Sequence, residues 1–422
     1  MLWPNSCRSS TGSKLLLWLN THSGRNATNK GWMLLTQAIK LIRNQSSSFR
    51  GALRASGVMA FAGMGDALLY PVLPVYGKEL GFSVFFIGVL LSVNRFVRIL
   101  ANTPIANLIT KMGMRNMLLI TSLLAVITTF VYGLKLGLIA FLIARILWGL
   151  SYSGLKTATL SYAAKAEDNS GLAFGLSQSI QSLGALFVLW FGPILIQEIG
   201  FQNGFFIISG LGLIGISMAY SLPKISAEDS GDPAQSKVTF YPNSINLLVV
   251  ALSISIDGIL VVTLAHLLNT SGISSGELLV YVALYLLLKR LFLILFSFVG
   301  GMLSLHYSAS KLFAISVIGC LFAMALISLN FIITGIILAF LCNTIVVTFS
   351  PLVAVKQQKN ALQAISSVST WWDLGAAIGA LIGIFIIEIL GRQNLFLSLL
   401  IITTIIFINY ILKNAKPSHS AI

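Results

Sequence analysis

The sequence predicts an all-α polytopic membrane protein with twelve transmembrane helices in two six-helix repeats. Three observations carry that expectation. Apolar stretches of span length follow one another from Ala52 to Leu412, and a bilayer core of about 30 Å needs about 20 helical residues to cross it. Hydrophobic residues make up 56% of the chain and charged residues only 9%, against about 25% charged in soluble proteins. The two halves also align at one interval. Asp66 in GMGDALL and Asp257 in SISIDGIL are 191 residues apart, as are Gly184 and Gly375, and Gly192 and Gly383. Repeated halves of this kind are a common way of building transport proteins.

The elements follow in order. Span one (52–77) holds Asp66 ahead of Pro71 and Pro74, which predicts a kinked helix. Span two (84–109) carries Arg95 and Arg98, three apart and so on one helical face. A short basic loop leads to span three (116–134), and span four (137–164) carries Arg145 and Lys156. Spans five and six are expected at 171–197 and 202–222, with Gly184, Gly192 and Pro193 on span five as helix-packing positions. The stretch from Pro223 to Pro242, with Glu228, Asp229, Gly231, Asp232 and Pro233, cannot bury a core and reads as a linker. Spans seven to twelve are expected at 244–269, 277–304, 309–328, 330–355, 361–389 and 393–412. Asp257 lies in span seven, Lys289 and Arg290 in span eight and Asp373 in span eleven. Gly375, Gly379 and Gly383 form a G-x-x-x-G-x-x-x-G face that admits a close helix neighbour. The expected organisation is a basic tail (1–51), an N-terminal six-helix bundle (52–222), a cytoplasmic linker (223–243), a C-terminal six-helix bundle (244–412) and a short tail (413–422).

Basic residues set the orientation. Of 27 Lys and Arg, the tail to Arg54 holds eight, the loops on the same side eight and the C-terminal tail two. The opposite loops hold three, namely Lys78, Lys135 and Arg392. An excess of 18 to 3 places both termini and the linker in the cytoplasm, which an even number of spans requires. The N-terminal tail reads as a disordered extension, with Met33 as an alternative start. Trp32 to Arg43 is the one stretch suited to lying on the membrane surface.

Several function classes are excluded at this level. The net charge of +15 is read as basic loops facing anionic lipid, with no nucleic-acid partner. Cys7, Cys320 and Cys342 are too scattered for a disulfide framework, and His22, His266, His306 and His419 have no metal-ligand spacing. No Walker-type phosphate loop and no catalytic constellation is visible, so no enzyme activity, metal or cofactor is expected.

Charges inside spans are expensive and are the candidate functional residues. Burial disfavours an ionised carboxyl and a neighbouring Arg favours it, and a group held between those effects can take up and release a proton. Asp66, with Arg145 as its partner from span four, is the expected proton-coupling pair. Tyr70, Arg95, Arg98, Trp148, Tyr152, Asp257, Lys289 and Arg290 are the expected substrate-cavity residues. Tyr70, Trp148, Tyr152 and Trp190 suggest aromatic walls, and Asp257 and Asp373 are each candidates to neutralise Lys289 or Arg290, a role favoured above all for Asp373. Lys156 reads as snorkelling to the interface.

Local motifs add a family resemblance. ANLITKMGMRN (Ala106 to Asn116) resembles the loop signature G-x-x-x-D-R-x-G-R-K of the major facilitator superfamily. Lys111, Gly113 and Arg115 match it, while Ala106 and Thr110 replace its first Gly and its Asp. RILWGLSYSG from Arg145 resembles the R-x-x-x-G motif of proton-coupled exporters. GALFVLWFGP (Gly184 to Pro193) resembles part of the antiporter motif, with Ile196 and Gln197 where its final glycines belong. DALLYPVLPVY in span one is also similar to this superfamily. The resemblance, over about residues 52–412, implies alternating access, a gating role for Lys111, Gly113 and Arg115, and proton coupling tuned by Arg145. The expected function is proton-coupled efflux of an amphipathic compound or metabolite. The alternatives are proton-coupled uptake of an organic anion or other metabolite, and a non-transporting receptor or scaffold. The expected partners are a small-molecule substrate, protons and the lipid bilayer, for a monomer in a bacterial inner membrane.

Overall fold

The computed structural model describes residues 46–77, 79–166, 169–223, 242–272, 278–358 and 360–415. Most of the expected N-terminal tail and linker, and the last seven residues, lie outside them. The described chain contains helices and turns and, among the described residues, no strand.

α1 (Ser47–Ala62) starts at Ser46, whose Oγ accepts the Phe49 N–H at 3.3 Å. This satisfies one of the N–H groups that a helix start leaves unpaired. α2 (Met64–Tyr76) continues the same path after a break at Gly63. α3 (Val84–Met112) is capped by Ser83 and contains Pro104. α4 (Met114–Gly133), α5 (Leu138–Ala164) and α6 (Ser170–Tyr220) complete the first half. α7 (Ser244–Leu252), capped by Asn243, runs into a π-helical segment, Ser253–Leu260, and then into α8 (Leu264–Thr270) at a bend of 61°. α9 (Leu278–Leu303), α10 (Ala309–Ser328), α11 (Ile332–Gln357) and α12 (Ala361–Ala415) follow.

Among the described residues nine helices are long and apolar enough to cross a membrane, and the bent path through α7 and α8 makes a tenth crossing. α6 has 51 residues and α12 has 55. Drawn straight, they would run to about 77 and about 83 Å, over twice the bilayer core. Each is broken by a glycine in the left-handed region, Gly200 at φ 85° and Gly391 at φ 71°. Glycine alone adopts that conformation without a Cβ clash. Each long helix therefore supplies two crossings, which brings the described residues to twelve.

The backbone repeats at the interval found in the sequence. Gly200 and Gly391 are 191 residues apart, and so are the left-handed Gly81 (φ 79°) and Gly272 (φ 96°). Packing repeats with them. A Cβ on Gly184 would strike the Ala60 backbone, and one on Gly375 would come within 2.8 Å of the Val250 carbonyl. Gly192 lies against Leu68 and Gly383 against Ile259, again 191 residues apart. In both halves a glycine stripe on the fifth span lets the first span approach closely. Pro193 lies within α6 directly after that stripe, and Gly379 meets the Gly258 Cα.

The two halves meet along α3 with α12 and along α6 with α9. A Cβ on Gly175 of α6 would be 2.6 Å from the Gly301 Cα of α9, and Ser179 Oγ donates to the Ile294 carbonyl at 2.7 Å. These contacts lie toward the end of the bundle that carries the Gly113 loop, where α5 and α9 end and α6 begins. At the opposite end α2 and α8 pack chiefly within their own halves.

Candidate functional site

Three charge pairs stand inside the bundle. In the first half, α2 carries Asp66 three residues after the Gly63 break, and α5 carries Arg145. Arg145 Nη1 donates to Asp66 Oδ1. Its Nε donates to the Leu90 carbonyl at 2.6 Å and its Nη2 to the Leu91 carbonyl at 3.4 Å. These acceptors hold the guanidinium in one place. The Arg145 side chain is fully buried, whereas that of Asp66 keeps 16% exposure. The Tyr70 ring centroid lies 5.9 Å from Arg145 Cζ.

In the second half Asp257 lies on the π-helical segment. Lys289 Nζ of α9 donates to Asp257 Oδ1, and Asn343 Nδ2 of α11 reaches both carboxylate oxygens at 3.3 and 3.4 Å. Lys289 Nζ also lies 5.3 Å from the Phe340 ring centroid. Asp66 and Asp257, equivalent in the repeat, both sit where the helix departs from regular α geometry. Such departures are frequent at functional positions.

The third pair joins the halves. Arg98 Nη2 of α3 donates to Asp373 Oδ1 of α12 at 2.9 Å, with side-chain exposures of 12% and 10%. Arg98 Cζ lies 4.5 Å from the Tyr152 ring centroid, and Tyr152 meets Trp148 edge-on at 5.9 Å. The expectation that Asp373 neutralises Lys289 or Arg290 is therefore corrected. Lys289 is taken by Asp257 within its own half, and Asp373 faces the other half.

The remaining expected residues divide clearly. Arg95 is half-buried and Arg290 exposed, and neither has an acidic partner among the described residues. Trp190 does not join the aromatic group; it is 71% exposed on the outer face of α6. Lys111 is exposed. Gly113, at φ 83°, joins α3 to α4, and Arg115 Nη2 donates to the Tyr220 carbonyl at 2.7 Å, tying that loop to the end of α6. Asn343 escaped the sequence reading, although a buried amide in an apolar span is itself a signal. No group of metal-ligating side chains occurs among the described residues.

Successive apolar helices of span length, in two halves that meet toward one end and carry charge pairs within the bundle, define a multi-pass membrane protein. The Major Facilitator Superfamily model matches residues 55–247. The solved structures most similar in fold include the transporter FucP in its outward conformation, at TM-score 0.72 and 15% identity, covering 88% of this chain and 100% of that one. A second is the E. coli fucose:proton symporter FucP, at TM-score 0.67 and 16% identity, covering 87% and 98%. A third is the human organic anion transporter MFSD10, at TM-score 0.66 and 15% identity, covering 86% and 99%. No curated protein matches the chain in sequence. The family model thus covers a little under half of the chain, its first half, and the solved structures share the fold over nearly all of it.

Proposed function

We propose that the protein is a proton-coupled secondary transporter in which Asp66 carries the proton and Arg145 holds it in place. The observation that carries this reading is the asymmetry of the pair. Arg145 is fully buried and anchored to the Leu90 and Leu91 carbonyls, while Asp66 keeps 16% side-chain exposure. An arginine stays charged at any working pH. The carboxyl is the member of the pair that can take up a proton, and it is the member within reach of water. When Asp66 takes a proton the Arg145 charge is released toward its carbonyls and the cleft, so protonation changes what the first half can bind.

Transport proceeds by rocking of the halves 52–222 and 244–412 about the charge pairs. The contacts of Gly175, Ser179 and Arg98 across the halves support a state closed at the Gly113 end. The excess of 18 basic residues to 3 makes that end cytoplasmic, in a bacterial inner membrane. Lys111, Gly113 and Arg115 form the loop at this gate, with Arg115 braced on Tyr220. The resemblance of RILWGLSYSG and GALFVLWFGP to exporter motifs supports efflux by antiport. The test is substrate flux in inverted vesicles with and without an imposed proton gradient, for the native chain and for Asp66→Asn. Uphill flux at a near-normal rate in the variant would show that Asp66 is not the coupling acid.

A further inference from the structure

We propose that the substrate is an amphipathic organic anion, its acidic group held between Arg95 and Arg290 and its apolar body against Trp148 and Tyr152. This rests on the transport reading above and names the substrate class of the same site. Nine charges lie well inside the spans, six basic and three acidic. Each acid is already used, Asp66 by Arg145, Asp257 by Lys289 and Asp373 by Arg98. Arg95, Lys156 and Arg290 are left with no acidic partner among the described residues. A lone cation inside a span is costly, so the surplus calls for a counter-charge or water.

Helical spacing shows where the surplus points. Arg95 is three residues before Arg98, so it shares the face that meets α12, about one turn nearer the open end. Arg290 is four residues before Ile294, seven before Ser297 and eleven before Gly301, the three positions that meet α6. It therefore continues the face toward the first half, beyond the point where the halves part, and is exposed there. Lys156 is four residues after Tyr152 on the inner face of α5 and contributes to the balance. The two arginines thus approach the cleft from its two sides, one on α3 and one on α9.

A second observation concerns donors. Arg98 Nε and Trp148 Nε1 are buried with no hydrogen-bond acceptor. Trp148 itself is only 2% exposed. Both groups donate and cannot accept, and both stand beside the Tyr152 ring. Buried donors without acceptors are costly. An anion supplies acceptors and charge together, and a cation supplies neither. Aromatic walls suit the apolar part of such a molecule.

The test compares ligands that differ only in charge. Detergent-purified full-length protein is heated with indole-3-acetate, indole-3-acetamide or tryptamine, and with benzoate, benzamide or benzylamine. A ligand that binds the folded state raises the melting temperature. The expected result is a rise with a carboxylate that exceeds those with its amide and amine. The double variant Arg95→Gln/Arg290→Gln should lose that rise, and Arg95→Lys/Arg290→Lys should retain part of it. If the Gln pair lowers folded yield, the Lys pair and the single variants carry the comparison. A larger rise with an amine, no carboxylate above its amide, or an unchanged rise in the Gln variants would each overturn the proposal. The last result would assign the arginines to lipid phosphate. Proton coupling is read on Asp66→Asn by gradient-driven flux and anion selectivity on the Arg95 and Arg290 variants by melting, so failure of either reading is seen on its own variants and its own assay.

Discussion

Asp373→Asn tests whether the bridge between the halves holds one end shut. Arg98 and Asp373 are 2.9 Å apart with about a tenth of each side chain exposed. Two unit charges with centres about 4 Å apart attract by about 4 kcal/mol at an effective dielectric of about 20. Desolvation offsets part of that, and couplings measured for close pairs at buried interfaces run from about 1.5 to 7 kcal/mol. A net loss of about 1.5–3 kcal/mol is expected here, because each partner retains some water. Since the pair spans the halves, the loss falls only on the state closed at the Gly113 end. It should shift the equilibrium about 10- to 150-fold toward opening there. The assay is maleimide labelling of Ser179→Cys in a background with Cys7, Cys320 and Cys342 replaced by Ala. Ser179 is buried against the Ile294 carbonyl in the closed state. Labelling in inverted vesicles should rise at least about tenfold with Asp373→Asn. Arg98→Gln and the double variant complete a mutant cycle and separate the pair energy from the cost of leaving one charge alone. Labelling within twofold of the parent in all three variants would refute the latch.

Other predictions follow from the same geometry. Asp66→Asn should abolish gradient-driven flux while thermal melting stays within a few degrees, since the amide keeps the shape and loses the titration; a flux assay paired with a melting curve checks both. Gly379→Val should lower stability by at least about 1–3 kcal/mol, because its Cβ meets the Ile254 carbonyl and Gly258 within one half; folded yield by size-exclusion chromatography reads the loss. Gly175→Val places the same bulk between the halves against Gly301, so it should leave yield near normal and raise Ser179→Cys labelling instead. Single cysteines near Asp229 and near Asn269 should label from opposite faces of the membrane, and labelling of both from outside intact cells would sink the assigned orientation.

Much of this protein was legible from its sequence because lipid imposes strict local rules. A span must be apolar and long enough, so the crossings could be placed from composition alone, and the described residues reach twelve once the two long helices are divided at Gly200 and Gly391. The 191-residue interval read from Asp66 and Asp257 recurs in the left-handed glycines and in the glycine contacts of spans five and eleven. The Asp66–Arg145 pair was accessible too, since a buried acid and a buried arginine in one half have few other partners. Tertiary structure alone decided the rest. Arg98 and Asp373 are 275 residues apart, and nothing local to either says that α3 and α12 meet. The choice of Lys289 for Asp257, with Asn343 as third member, depends on how three helices of one half are rotated about their axes. Trp190 and Trp148 look alike in sequence, yet one faces outward and the other is buried. Hydrophobicity distinguishes a span from a loop, but an apolar residue satisfies lipid and protein interior equally well. The direction in which a side chain points is therefore set by packing between helices, and although the surplus of cations can be counted from the sequence, which of them are left over is decided only by the pairing of Asp66, Asp257 and Asp373.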